Sequence, residues 1–226
     1  KSIVTTPMVR DIASAFGVET VDVLTGFKYI GSTMLGLEQS GHLEDLQFAF
    51  EESCGFLKGS YVRDKDAQLA SMLATELAAV TRLAGMDLGQ RMDALYEKYG
   101  WYQNEVISVE LAGEKGKKLC ADFLDALRAD PPREIAGFAV QSIADYQNSL
   151  ATDCTTGATS VLDFPRSNVL SFQMEERGLA MLRPSGTEPK LKLYFFAAAQ
   201  TLAKAKENLD AVEADLNGRL QAFGVI

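Results

Sequence analysis

Residues 179–197 read LAMLRPSGTEPKLKLYFFA, and this stretch sets the architecture of the second half of the chain. Apolar runs at 179–182 and 191–197 flank eight residues, RPSGTEPK, that are polar or are restricted by proline and glycine. Apolar runs bounded by such residues are typical of strands joined by a loop. We therefore predict two strands here, connected by a loop that its two prolines stiffen.

The loop between these strands combines groups that bind phosphate. It contains the guanidinium of Arg183, the hydroxyls of Ser185 and Thr187, and the flexible Gly186. A phosphate dianion is well held by a bidentate arginine, by hydroxyl donors and by backbone N–H groups that can turn inward. The ten residues from Arg183 onward carry three cations and one anion, a local charge of +2 in a chain of net charge −9. Composition alone also fits a proline-stiffened loop with a solvated arginine.

The composition as a whole is that of an acidic globular protein. The chain has 226 residues, of which 47% are hydrophobic and 23% are charged, and these values exclude wholesale disorder, collagen and coiled coil. The net charge of −9 argues against a nucleic-acid or membrane-surface partner, because both require a basic field. No apolar run reaches the roughly 18 residues of a membrane helix, and we expect no signal peptide.

Cysteine and histidine usage disfavours a metal centre within the chain. Cys54, Cys120 and Cys154 have no zinc-ligand spacing, and their odd number does not suit a disulfide framework. His42 is the only histidine, which weakens both a hydrolase triad and a histidine-based metal site. The three thiols suit a reducing compartment, so we expect a cytoplasmic location.

The chain divides into two parts of different class. Up to about residue 111, strand and helix signals alternate, and the clearest helix, 66–84, carries an apolar stripe at spacings of three and four. After Pro132, short strands follow one another, and a helix at 202–223 closes the sequence. Alternation followed by a strand cluster is typical of two domains, which we place at 1–115 and 116–226. The predicted helices are 8–16, 28–37, 66–84, 88–99, 118–128 and 202–223.

Two carboxylates and a hydroxyl follow the strand predicted at 47–50. Glu51, Glu52 and Ser53 stand where many α/β proteins hold sugar hydroxyls, because a carboxylate accepts hydrogen bonds from paired O–H donors. Acidic residues at the start of a turn or helix have the same pattern, and spacing alone favours that simpler interpretation.

Two lysines occupy turns where a ligand could be contacted. Lys28 follows the strand predicted at 21–23, in the turn TGFK, and Lys65 lies within RDKD. Turns after strands face ligands in open α/β sheets, and a lysine can contact phosphate or carry a proton if its pocket lowers its pKa. Both lysines also fit a solvated surface, with Asp64 or Asp66 acting as the N-cap of helix 66–84.

Four motifs in this order resemble the carboxyl-terminal half of the α-D-phosphohexomutase superfamily. They are TGFK at 25–28, FEES at 50–53, RDKD at 63–66 and RPSGTEPK at 183–190. The resemblance is closest to the longer bacterial phosphoglucomutase/phosphomannomutase type, and it covers nearly the whole chain. Family members have four domains around one cleft. The resemblance implies a third domain, α/β with a mixed sheet, at 1–115, followed by a fourth, α+β and TBP-like, at 116–226.

The resemblance also implies roles for individual residues. It implies that Glu51 and Ser53 bind the sugar hydroxyls. It also matches Lys28 and Lys65 to catalytic positions that line the active site. Cys54, which follows the sugar loop, departs from relatives that carry a histidine nearby, so the choice of sugar stays open. The implied phosphate-binding residues are Arg183, Ser185, Gly186 and Thr187.

The implied reaction moves a phosphoryl group between the 1- and 6-hydroxyls of a hexose, through a bisphosphorylated intermediate such as glucose 1,6-bisphosphate. In the family, a phosphoserine of the first domain donates the group, and Mg²⁺ held by an aspartate loop of the second neutralises charge. This chain has neither a Ser-His donor segment nor an Asp-x-Asp-x-Asp loop, and it begins at Lys1 without an initiator methionine. We expect a fragment with no metal ligands of its own, whose partners are a phosphosugar and the missing domains 1 and 2.

Alternatives stay open within and outside the superfamily. A phosphopentomutase or a glucose-1,6-bisphosphate synthase would share these loops. A free-standing phosphosugar-binding module would use them without catalysis. A serine donor loop and an aspartate metal loop upstream would favour an enzyme, whereas a gene that ends just upstream of Lys1 would favour the module.

Overall fold

The computed structural model describes residues 1–186 and 188–226 and divides between Tyr99 and Gly100 into two units. The predicted helices of the first unit are confirmed, with ends that differ by a few residues. The elements of this unit are α1 (Met8–Ala15), α2 (Phe27–Ser40), a 3-10 turn (Leu43–Asp45), β1 (Ala49–Glu51), β2 (Gly55–Leu57), α3 (Ala67–Leu83) and α4 (Leu88–Tyr99).

Strand pairing in the first unit is both parallel and antiparallel. β1 and β2 pair antiparallel, with Glu51 opposite Gly55, whereas Ser2 and Val23 form a parallel bridge. The backbone N–H of Ser2 also donates to the carbonyl oxygen of Phe50 at 3.3 Å, so the amino-terminal segment joins the two pairings. The mixture of directions agrees with the α/β class and mixed sheet that were predicted.

Helix α2 supplies much of the apolar core of the first unit. Phe27, Ile30 and Met34 recur at spacings of three and four and are buried on one face. They pack in one cluster with apolar residues of the strand region. The helix ends at Gly41, whose φ of 80° is a left-handed conformation that favours glycine.

Helix α3 forms where the sequence predicts it, but its apolar stripe faces water. Asp66 is the N-cap, and its carboxylate accepts a hydrogen bond from the backbone N–H of Leu69 at 2.9 Å. The stripe residues Met72, Val80 and Leu83 are nevertheless 69%, 58% and 88% exposed. The spacing therefore identifies the helix correctly without identifying the face that packs.

The second unit is an antiparallel sheet with two helices. Its strands follow the order β3-β10-β9-β8-β5-β6-β7, and β4 pairs with β5. Helices α5 and α6 correspond to those predicted at 118–128 and 202–223. The elements are β3 (Trp101–Glu110), α5 (Gly113–Ala129), β4 (Glu134–Ile135), β5 (Phe138–Asp145), β6 (Leu150–Asp153), β7 (Thr159–Val161), β8 (Leu170–Met174), β9 (Leu179–Pro184), β10 (Lys190–Ala199) and α6 (Leu202–Phe223).

Strand β3 belongs to the second unit, which differs from the boundary predicted between residues 115 and 116. It pairs with β10 along its whole length, from Trp101 opposite Ala199 to Glu110 opposite Lys190. The alternation of strand and helix signals up to about residue 111 places this segment in the predicted first domain. Long-range pairing with β10 decides its membership, and sequence spacing does not reveal that pairing.

The main core lies between one face of this sheet and the two helices. Alternate residues of β10, including Leu193 and Phe195, point to this face and are fully buried. They share one apolar cluster with Leu124 of α5 and Leu216 of α6, which are also fully buried. The residues between them in β10, such as Tyr194, point to the opposite face of the sheet.

Gly116 allows the first turn of α5 to approach the end of β3. A Cβ atom at this position would lie 2.9 Å from the carbonyl carbon of Leu111. We expect Gly116→Ala to lower the free energy of unfolding by about 1–2 kcal/mol, because the clash outweighs the helix propensity gained. Gly218→Ala in α6 is the matched control, since its Cβ would meet nothing within 4 Å, and it should raise stability in denaturant unfolding. An equal gain for both variants would contradict this account.

Candidate functional site

The RPSGTEPK loop closes the β9–β10 hairpin, as predicted. The backbone N–H of Ser185 donates to the carbonyl oxygen of Lys190 at 2.7 Å, and that of Lys190 donates to the carbonyl oxygen of Glu188 at 2.8 Å. The Ser185 hydroxyl accepts from the backbone N–H of Glu188 at 3.3 Å. These bonds fix a compact loop in which Gly186 is exposed. Thr187 lies outside the described residues.

Arg183 projects from β9 away from the two helices. Its neighbour Leu182 is buried in the helix-facing core, and side chains alternate along a strand, so Arg183 occupies the other face. The guanidinium Nη1 donates to the hydroxyl of Tyr194 at 3.4 Å, and the side chain remains half-buried. Lys192 lies opposite it in the strand register. The tip of the arginine is thus held by Tyr194, on a side chain that is only half-buried.

A cavity of about 410 Å³ lies beside the loop, on the helix side of the sheet. Its polar lining includes Lys117 of α5 and Asn168, which the sequence did not single out, because neither stands in a motif or at a ligand spacing. Burial raises the pKa of the Cys120 thiol in its wall to about 11, so this cysteine is a poor nucleophile at neutral pH. The lining residues are Leu111, Lys117, Cys120, Ala121, Asn168, Pro184, Ser185, Gly186, Glu188, Pro189 and Lys190.

An ion pair beneath this cavity holds Asn168 in place. Arg128 Nη2 donates to the side-chain oxygen of Asn168 at 2.6 Å, and its Nε donates to Asp145 at 3.2 Å. The Arg128 and Asp145 side chains are 10% and 12% exposed. Asp145 also accepts from the amide side chain of Asn148 at 2.6 Å, so the buried carboxylate is well satisfied. The cluster fixes the segment before β8 against α5.

In the first unit, the carboxylate of Glu51 points into the structure. One oxygen accepts a hydrogen bond from the backbone N–H of Gly26 at 3.2 Å, and the other lies 3.8 Å from Lys65 Nζ. The Glu51 side chain is 9% exposed, whereas Ser53, two residues later, is exposed. The structure therefore brings Glu51 and Lys65 together, as a site would require, and directs Ser53 to solvent.

The two predicted lysines differ in their surroundings. Lys65 Nζ lies 3.0 Å from Asp64 and 4.9 Å from the ring centroid of Phe27. Hydrogen bonds from the Lys65 backbone and side chain lower the pKa of Asp64 below its usual value. Lys28 is exposed, and its ammonium lies 4.9 Å from the ring centroid of Tyr29. The catalytic roles given to these lysines stay predictions.

Residues 1–186 and 188–226 contain neither a cluster of metal ligands nor a single helix that could cross a membrane. No group of three or more histidine, cysteine, aspartate or glutamate side chains there is placed to hold a metal ion. Over the same residues, no single helix is both long and apolar enough to cross a membrane. α3 and α4 reach that length and apolarity only as a pair, bent by 84°.

Models of two neighbouring domains of one family match the chain in sequence order. Residues 1–99 match the domain described as phosphoglucomutase/phosphomannomutase, alpha/beta/alpha domain III. Residues 136–214 match the domain described as phosphoglucomutase/phosphomannomutase, C-terminal domain. The first match ends where the structure divides, at Tyr99.

Proteins named phosphoglucomutase are similar to most of the chain. The one from Staphylococcus aureus strain MRSA252 is 38% identical over 194 residues, which is 86% of this chain and 34% of the relative. The one from strain MSSA476 is 35% identical over 212 residues, which is 94% of this chain and 38% of the relative. The chain thus spans little more than a third of the length of these relatives.

Solved structures share the fold at low sequence identity. The open form of pp63/parafusin, a phosphoglucomutase from Paramecium, superimposes with a TM-score of 0.66 at 16% identity, covering 99% of this chain and 37% of that one. A phosphoglucomutase/phosphomannomutase family protein from Burkholderia thailandensis gives a TM-score of 0.56 at 16% identity, covering 98% and 36%. The domain models, the relatives and the fold agree. The chain belongs to the phosphoglucomutase/phosphomannomutase family and corresponds to domain III and the C-terminal domain of its members.

Proposed function

We propose that the chain is the recognition half of a phosphohexomutase that interconverts hexose 1-phosphate and hexose 6-phosphate. The observation that carries this proposal is the RPSGTEPK loop, which presents Arg183 and Ser185 at the closed end of a hydrogen-bonded hairpin in a member of this family. The similar proteins from Staphylococcus aureus are named phosphoglucomutase, which supports an isomerase as the longer parent.

The second unit supplies the phosphate contacts in this proposal. Arg183 offers two parallel N–H donors to a phosphate, and a charged hydrogen bond of this kind is roughly twice as strong as a neutral one. Ser185 and Thr187 add hydroxyl donors, and Gly186 adds a backbone N–H with no side chain to obstruct the approach. Lys190 supports the loop from its base, since its Nζ lies 3.7 Å from Glu188.

The first unit supplies the sugar contacts. The Glu51 carboxylate accepts hydrogen bonds from sugar hydroxyls, since it retains lone pairs beyond the one that Gly26 uses. The Ser53 hydroxyl donates a hydrogen bond to the sugar. Lys28 and Lys65 provide positive charge near the transferring group in the parent enzyme. The exposed ammonium of Lys28 is available for this, and Lys65 stays beside Glu51.

The chemical half of the reaction is assigned to the part of the relatives that this chain does not span. The described residues offer no metal cluster, so we assign no step of this chain to Mg²⁺. The phosphoserine donor, the Mg²⁺ ligands and the turnover of glucose 1,6-bisphosphate belong to the two preceding domains of the parent polypeptide. Those domains are the proposed partner, and the parent is proposed to act in the cytoplasm.

Calorimetric titration of the chain with glucose 1-phosphate tests this proposal. We expect binding of glucose 1-phosphate that is tighter than binding of glucose, because the phosphate contacts supply charged hydrogen bonds. We expect no conversion to glucose 6-phosphate with or without Mg²⁺, because donor and metal loops are not part of this sequence. Equal affinity for glucose and glucose 1-phosphate, or turnover by the purified chain, would overturn the assignment.

A further inference from the structure

We propose that Glu52 is a positioning residue, whose carboxylate ties the sugar turn, residues 51–55, to the buried hydroxyl of Ser2. The inference deepens the proposed function and rests on it for the ligand, because Glu51 and Ser53 are the residues of this turn that are proposed to bind the sugar. Glu52 lies between them and has no role in that proposal. The contacts that lead to the inference all lie within the first unit.

The first feature is a hydrogen bond that reaches the turn from the beginning of the chain. Although Glu52 is an exposed residue, its Oε2 accepts from the Ser2 hydroxyl at 2.8 Å. Ser2 is 1% exposed, so its hydroxyl is shielded from water, and a hydrogen bond to a carboxylate is stronger than one between neutral groups. The backbone N–H of Ser2 also donates to the carbonyl oxygen of Phe50 at 3.3 Å. One buried residue therefore holds the chain both before the sugar turn and inside it.

The second feature is a second hydroxyl that supports this donor. Thr5 Oγ1 lies 2.7 Å from Ser2 Oγ, and Thr5 is 6% exposed. A carboxylate only accepts, so the single hydroxyl hydrogen of Ser2 goes to Glu52, and Thr5 donates to Ser2. Lys1 Nζ donates to the carbonyl oxygens of Ser2 and Thr5, each at 3.1 Å. Glu52 is therefore bound to a hydroxyl pair whose own segment is held in place by hydrogen bonds.

The third feature is the backbone of the sugar turn, which needs such support. Cys54 has a φ of 52°, a left-handed conformation that residues with a side chain rarely adopt. Gly55 lies opposite Glu51, so close that a Cβ atom on Gly55 would stand 2.6 Å from Glu51 Cγ. A tight turn with a left-handed cysteine keeps its shape only where the surrounding contacts impose it. The bond to Ser2 is one of these contacts, and without it the residues before Cys54 can shift.

This bond leaves both proposed sugar contacts in place. The Glu52 carboxylate is held by Ser2, whereas the Glu51 carboxylate lies beside Lys65 on its own set of contacts. Because the partner of Glu52 is a hydroxyl of the protein, the sugar can bind Glu51 and Ser53 without breaking the bond. Glu52 then influences sugar affinity through the position of its two neighbours and does not touch the ligand.

Amide hydrogen exchange in the ligand-free chain tests the bond itself. We expect Ser2→Ala and Glu52→Ala each to accelerate exchange of the amides that pair β1 with β2 about tenfold, because a hydrogen bond to a charged group is lost beside them. Glu52→Gln should accelerate exchange less, since its side-chain oxygen still accepts from Ser2. Thr81→Ala is the matched control, because it removes a buried hydroxyl near the end of α3 and away from the turn. Unchanged exchange in Ser2→Ala would overturn the inference.

Calorimetry with glucose 1-phosphate and with inorganic phosphate tests the positioning role. We expect Ser2→Ala and Glu52→Ala each to weaken glucose 1-phosphate binding about tenfold, because each removes a hydrogen bond to a charged group. The double variant should bind no more weakly than either single variant, since all three lack the same bond. The Kd for inorganic phosphate should stay within about twofold of wild type, because sites that share no partner act independently.

The outcomes of this titration separate positioning from other roles. If Glu52 met the sugar directly, Ser2→Ala would leave its carboxylate in place and the affinity unchanged, and that result contradicts the inference. An equal loss of affinity for inorganic phosphate contradicts it too, since the effect would then be general. Glu52→Gln should recover most of the affinity, and a loss as large as in Glu52→Ala would count against the bond. A wild-type chain that binds no glucose 1-phosphate refutes the proposed function, with the exchange result still deciding whether Ser2 holds the turn.

Discussion

Phe195→Ala is expected to lower the free energy of unfolding of the second unit by about 3–5 kcal/mol, as large-to-small changes of a core aromatic do. The Phe195 ring is fully buried in β10, the strand that pairs with both β3 and β9. Its loss leaves a cavity between the sheet and the two helices, where the surrounding side chains are already close-packed. The hairpin that carries the RPSGTEPK loop is built on the same strand.

Denaturant unfolding followed by tryptophan fluorescence isolates this effect. Trp101 is the only tryptophan of the chain, and it lies in β3, so its signal reports the second unit. Phe195→Leu keeps most of the volume and should cost less than about 1.5 kcal/mol, which preserves a measurable transition if the alanine variant is unfolded. Phe16→Ala is the control, because that ring is 75% exposed. A shift for Phe195→Ala no larger than for Phe16→Ala would refute this view of the core.

Arg183→Ala is expected to weaken glucose 1-phosphate binding by about 1.5–3 kcal/mol, which is about 10- to 150-fold in Kd. The reason is the loss of a charged, bidentate donor that no neighbour can replace in geometry. Arg183→Lys should give an intermediate loss, because it keeps the charge but not the planar fork. Isothermal titration calorimetry of the three proteins provides the measurement.

The control for this series is Arg133→Ala, an exposed arginine that precedes β4 in the same unit. It removes an equal charge and should leave the Kd within about twofold, because a screened surface charge contributes little. Thermal unfolding of each variant checks that the hairpin persists. If Arg183→Ala binds as tightly as wild type, Arg183 is not part of the phosphate site, and the loop would need another source of charge.

The local elements could be predicted from the sequence because their signals are local. Asp66 caps α3 as its position before an apolar repeat suggests, and the strands around RPSGTEPK pair as their flanking prolines and glycine imply. The order of four motifs led to the family, which the domain models confirm. These features depend on residues that are near one another along the chain.

Features that depend on distant residues could not be predicted. The membership of β3 is set by its pairing with β10, which follows it by about 90 positions in the sequence. The Arg128–Asp145 pair and its hold on Asn168 join three separate segments. Gly55 looks like an ordinary turn glycine until its distance from Glu51 is known. The roles of the individual site residues remain predictions that the variants above address.

The water-facing stripe of α3 has a practical consequence for every solution experiment. A helix that exposes Met72, Val80 and Leu83 to solvent presents an apolar surface of the kind that favours self-association. We expect these side chains to promote association between copies of the chain. This association should increase with protein concentration and with temperature, because hydrophobic attraction is weaker in the cold. Dilute samples and light scattering before each titration will therefore set the usable range of the assay.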